Sequence, residues 1–328
     1  MVLPVMAVIA LAVWILCGAF ANGWWLQMAC FALTVYLLVE LSNRMALLRV
    51  RSRMVSSVFI ALSSAACRLY PSTEGAIVQL CFVVMLAILF TTYQDRNAPG
   101  HCFYAMLSLG IASLFAPCVL LFFPVILLLL ATQLQAFSGR NVTGMLFGLL
   151  LPYWLLLPIQ IGVAMQLFGE SALGQLTFLP FHYLQSETFH ALTVSVATVF
   201  SHPQLRLFAP ATSFFIAFVV VLTIAGTLHF WQISYEEKIQ VRLLYGFFIS
   251  MTTATLCAIA LLPGQSDVLL RVFILCSSPV IAHFFTFTSS RLSNATFIVS
   301  VAVCLLLTVY SLLPEAVRTL IAAQLPSL

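Results

Sequence analysis

Charge is what this chain has least of. Of its 328 residues, 7% are Asp, Glu, Lys or Arg, while 63% are hydrophobic. A soluble domain carries roughly a quarter charged residues. Too few charges remain here to cover a folded surface in water, which excludes a soluble fold. The solvent must be lipid. Length then says little about domain number, because that rule assumes a core formed in water. The expectation is one integral membrane domain over residues 1–328.

Other absences narrow the chemistry. Nine cysteines are present, and none forms a CxxC pair. They read as small packing residues at helix contacts, with no disulfide framework and no zinc site. No cofactor or metal is expected, and no nucleic-acid partner. The apolar run at Val2 to Leu16 is followed by "AFA" at Ala19 to Ala21, like a signal-peptidase site, but it lacks the positive flank of a cleaved signal. It reads as an uncleaved first helix. No internal repeat and no low-complexity linker interrupts the chain. No Asp or Glu falls at the middle of any apolar run. An ion-coupled transporter normally needs one there, so a standard pump is disfavoured.

What is present is a series of long apolar runs. A spanning helix needs about 20 mostly apolar residues. Scanning on that basis predicts an all-α, polytopic transmembrane bundle of about eleven spans: 3–21, 24–41, 54–70, 76–93, 102–115, 117–134, 143–167, 208–232, 243–262, 268–288 and 295–313. Residues 101–134 are too long for one helix, and Pro117 offers the break. Arg and Lys favour the cytoplasmic side. With the N-terminus cytoplasmic, nine of the thirteen basic residues fall inside: Arg44, Arg49, Arg51, Arg53, Arg96, Arg140, Lys238, Arg242 and Arg291. The asymmetry supports both the count and the direction, and the location expected is a bacterial inner membrane.

Four polar features are candidates for function. Residues 168–207 form the longest stretch between spans and read as an outer loop or interfacial segment. Within it, "FLPFHYLQSETFH" gathers His182, Glu187 and His190. The eight-residue spacing of the histidines does not suit a zincin, and aromatics concentrate at membrane interfaces. The run therefore reads as interfacial, with His182 and His190 able to touch substrate or lipid. Next, "ELSNRMALLRVRSR" places Arg44, Arg49, Arg51 and Arg53 in one inner loop, where they hold topology and contact anionic headgroups. Asp267 and Arg271 stand one turn apart at the outer start of the tenth span, spaced to pair on a helix face, with Arg271 a further lipid contact. His229 and His283 read as hydrogen-bonded packing residues near the inner ends of their spans.

Three segments carry a resemblance. "ELSNRMALLRVRSRMVSSVFIAL", "TTYQDRNAPGHCFYAMLSLGIASLFAPCVLLFFPVILLLL" and "LQAFSGRNVTGMLFGLLLPYWLLLP", within residues 25–160, resemble an uncharacterised family of multi-pass inner-membrane proteins from Bacteroidota. The family carries no activity to transfer. The hairpin "SLGIASLFAPCVLLFFPVILLL" also looks like a helix pair of polytopic glycosyltransferases that use polyprenyl-phosphate sugars. That resemblance implies a catalytic carboxylate in the first outer loop, where this chain has "FANGWW" and no acid. A displaced base would have to be Glu74, Glu170, Glu187 or Asp267 among the outer acids, with the terminal Glu315 after them. Three functions follow as expectations. The first is a non-catalytic envelope component with other envelope proteins as partners. The second is a transferase-like protein handling lipid-linked saccharide at the outer face, with a polyprenyl-phosphate lipid as partner. The third is a lipid transporter or flippase.

Overall fold

The structure is a computed structural model that describes residues 2–48, 52–164, 210–287 and 291–313. Among these it is all α-helical, with short 3-10 turns and no strands. Eleven helices are present: α1 (Val2–Leu16), α2 (Trp25–Arg44), α3 (Met54–Ala65), α4 (Thr73–Leu89), α5 (Pro99–Phe115), α6 (Phe122–Thr132), α7 (Gly139–Ala164), α8 (Pro210–Ile233), α9 (Ile239–Leu261), α10 (Ser266–Phe287) and α11 (Arg291–Leu312). Each occupies one of the apolar runs read from the sequence. Among the described residues six stretches are long and apolar enough to cross a membrane: Trp25–Arg44, Thr73–Thr92, Thr212–Ile233, Ile239–Leu261, Ser266–Phe287 and Asn294–Leu312. Helix is the natural state of such runs, because lipid offers no partner to an open backbone group.

The break expected at Pro117 is there. α5 ends at Phe115, Ala116 is extended (φ −142°, ψ 98°), and Pro117 opens a five-residue 3-10 turn before α6. A residue preceding proline is pushed out of the helical region by the ring, so the chain leaves the helix at Ala116.

Packing divides the chain into two compact units. The first comprises Met1–Thr73, Leu205–Thr252 and Leu270–Leu328; the second comprises Glu74–Gln204 and Thr253–Leu269. The second unit is organised by α5 against α7. Gly144 and Gly148 of α7 press on the α5 backbone at Pro99 and Phe103, and Gly110 of α5 lies against Leu149 and Pro152 of α7. Small residues four apart let two helix backbones approach closely, which is how helices associate in lipid without a hydrophobic drive.

In the first unit α3 packs with α1, α2 and α11. The ends of α1 and α3 are joined by a stack of Trp14 on Tyr70, ring centroids 4.0 Å apart and 7° from parallel, with Phe31 beside both. The helices differ sharply in burial. The apolar stretch of α10 is 89% buried, whereas that of α11 is 11% buried. α10 is thus a core helix, and α11 shows most of its apolar surface to the surroundings, including Ile298, Leu305, Leu306 and Val309.

Candidate functional site

The first unit contains an apolar groove of about 180 Å³. Its walls come from α1 (Met6, Ile9), α3, α8 (Leu222), α10 (Ile281, Phe285) and α11. On α3 the lining residues are Met54, Ser57, Val58, Ala61, Leu62 and Ser64; on α11 they are Phe297, Ser300, Val301, Cys304, Leu305 and Thr308. Both sets step by three and four, which is one face of a helix. From Met54 to Leu62 the α3 wall runs for about 12 Å at 1.5 Å per residue. Three hydroxyls on these walls are turned back onto their own helices: Ser57 to Arg53 O (3.0 Å), Ser300 to Thr296 O (2.7 Å) and Thr308 to Cys304 O (2.7 Å). Their donors are thereby satisfied locally, and the groove keeps an apolar face.

A second feature lies among α8, α9 and α10. The Glu237 carboxylate, in the turn between α8 and α9, sits 3.8 Å from Nε2 of His283 on α10. Glu237 is 6% exposed and His283 fully buried. Aromatic rings enclose the imidazole: Tyr245 at 4.9 Å, Phe230 at 5.3 Å and Phe287 at 4.7 Å between centroids. His229 lies 6.0 Å away. The Tyr245 hydroxyl donates to the Leu47 carbonyl (3.2 Å), tying α9 to the loop after α2. A buried carboxylate is costly without compensation, and the imidazole stands beside it at ion-pair distance, beyond a direct hydrogen bond. Sequence reasoning read His283 as a packing residue and did not single out Glu237. Only the fold brings them together. Among the described residues no three of His, Cys, Asp and Glu form a metal-binding group.

The predicted site residues are dispersed. Arg44 is exposed and pairs with Glu40 at 2.5 Å, a contact of i,i+4 type worth little at a surface. Arg53 is exposed and immediately precedes Met54, the first residue of the α3 wall. Asp267 is exposed in the first turn of α10, and Glu74 is half-buried in the first turn of α4. Glu170, His182, Glu187 and His190, with Arg49 and Arg51, lie outside the described residues, and so does the whole 168–207 segment.

Arg271 is 7% exposed, and its guanidinium donates to the carbonyls of Leu69 and, at 3.3 Å, Ser72. It fastens α10 to the turn that follows α3. Arg271→Met keeps the stem and removes the donors, and the expected cost is about 2–3 kcal/mol, read as a lower thermal midpoint in mild detergent. An unchanged midpoint would mean that the two carbonyls do not depend on the guanidinium. Comparison with protein families, curated proteins and solved structures finds no match for this chain.

Proposed function

We propose that this is a multi-pass inner-membrane protein that holds one apolar chain of a lipid in the groove of its first unit, as a lipid-handling carrier or transporter. The observation that carries the reading is the groove itself, about 180 Å³ of almost wholly apolar space. A cavity of ~150 Å³ lined by aliphatic and aromatic side chains stays dry and accepts an apolar guest. In a bilayer the guest at hand is a hydrocarbon chain, and its gain is dispersion contact with walls that would otherwise face a void.

The threading that goes with this reading is eleven crossings with the N-terminus cytoplasmic, supported by the inward excess of arginine. On that threading Arg53 lies where the inner end of the groove meets the headgroup layer. An exposed guanidinium there favours a phosphate-bearing headgroup. The transferase reading gains nothing comparable, because its described acids, Glu74 and Asp267, are offered no adjoining cleft by the groove.

Filling the groove tests the proposal. Ala61→Phe projects a ring into the space between α3 and α11. The expected result is several-fold less lipid retained per protein after purification in mild detergent, by quantitative lipid mass spectrometry, with the protein still monodisperse. Equal retention of the same bulk phospholipids by both proteins would end this reading.

A further inference from the structure

We propose that Cys17 and Cys67 are a disulfide-forming pair that staples the end of α1 to the end of α3. The two stand fifty positions apart in sequence, yet the fold brings them to one packed cluster. Trp14 lies one turn before Cys17, and Tyr70 lies one 3-10 turn after Cys67. Trp14 and Tyr70 stack at 4.0 Å. Cys17 packs against the buried cluster of Val13, Trp14, Ala19, Cys67 and Tyr70. The approach of the two cysteines is fixed on both sides. Gly18, with φ +78°, ends α1 immediately after Cys17, in a conformation that glycine adopts without penalty. The carbonyl of Ala65, at the end of α3, accepts a hydrogen bond from Ser311 of α11 at 3.2 Å.

Access is asymmetric in a useful way. Cys17 is partly exposed and Cys67 is buried. A disulfide donor therefore reaches Cys17 first. The Cys17 thiol loses its proton, its sulfur attacks the donor's S–S bond, and one donor sulfur leaves as a thiol. Cys67 then loses its proton and attacks the Cys17 sulfur. The Cys17–Cys67 bond forms, and the second donor sulfur leaves as a thiol. Two protein thiols are oxidised, one donor disulfide is reduced, and both protons end on the donor sulfurs. On the proposed threading this end of α1 and α3 faces outside the cytoplasm, where such bonds persist. The bond itself does not depend on the lipid reading. Its consequence does: α1 and α3 are two walls of the groove, and a staple at their ends limits how far the walls can part.

The test uses full-length protein in native membranes. Samples are treated with oxidised glutathione or with a reductant, capped with N-ethylmaleimide, digested with chymotrypsin and analysed without reduction. The expected product of oxidation is a joined peptide pair through Cys17 and Cys67, lighter by two hydrogens and absent after reduction. Cys17→Ser should abolish it. Cys257→Ser, at an exposed cysteine elsewhere, should leave it intact. Full maleimide capping of both Cys17 and Cys67 after oxidation would overturn the proposal, as would a joined pair formed equally well with any other cysteine. Lipid retention is measured on the same oxidised and reduced samples, so a staple without an effect on lipid counts against the groove reading alone.

Discussion

Gly148→Ala is expected to destabilise the second unit by about 1–3 kcal/mol, the usual cost of forcing volume into a packed contact. Gly148→Leu is expected to give no monodisperse protein. The reason is the kind of atom in the way. A Cβ at Gly148 would fall inside van der Waals contact of the Phe103 carbonyl oxygen, and one at Gly144 would lie 2.6 Å from the Pro99 oxygen. Both obstacles are backbone, so no side chain can rotate away. Relief requires α5 and α7 to move apart, and the close approach that stabilises a helix pair in lipid is then lost along its length. Gly100→Ala is the control, since nothing stands within 4 Å of a Cβ there. Thermal unfolding in detergent, with size-exclusion chromatography, reads both effects. A Gly148→Ala protein as stable as the parent would mean that the two backbones are not in contact.

His283→Leu is the second large effect. Losing one member of a buried polar contact typically costs about 1–3 kcal/mol, because the group left behind keeps its desolvation. Here the Glu237 carboxylate would lose the imidazole that stands 3.8 Å from it. The double variant Glu237→Leu with His283→Leu is expected to recover part of the loss, since an apolar pair of similar volume needs no compensation. The two single variants and the double together form a cycle, and its coupling measures the pair. Strict additivity of the two losses would show that Glu237 and His283 do not act on one another.

These two sites mark the limits of what could be read from the sequence. The helices were legible because hydrocarbon runs of this length have no other stable state in lipid, and Pro117 announced its own break through sterics that act between neighbours. The groove was half legible. Met54, Ser57, Val58, Ala61 and Leu62 share a helical face, but such a face reads equally well as packed core. Its openness depends on how closely α11 lies against α3, and that is a property of the assembly. The pair of glycines in "GMLFG" was quoted for its resemblance, while the partner backbone that gives it meaning lies some 45 residues away. Glu237 was the hardest case. An acid beside Lys238 reads as an ordinary inner loop, and only the return of α10 places an imidazole against it. Likewise, Cys17 and Cys67 each sit in an apolar context that reads as packing. Adjacency, which turns two packing residues into chemistry, is not written locally.

The 3-10 turn before α6 has a consequence for membrane thickness. α6 has eleven α-helical residues, about 17 Å at 1.5 Å per residue. The five 3-10 residues before it rise about 2 Å each, so together the segment reaches about 27 Å. A typical hydrocarbon layer is about 30 Å thick. The tighter winding stretches a short sequence most of the way across, and the surrounding lipid closes the rest by thinning. Each ångström of such mismatch costs a fraction of a kcal/mol. On the proposed eleven-span threading the hairpin is a gauge, and it sorts this protein towards the thinner regions of whatever bilayer it occupies.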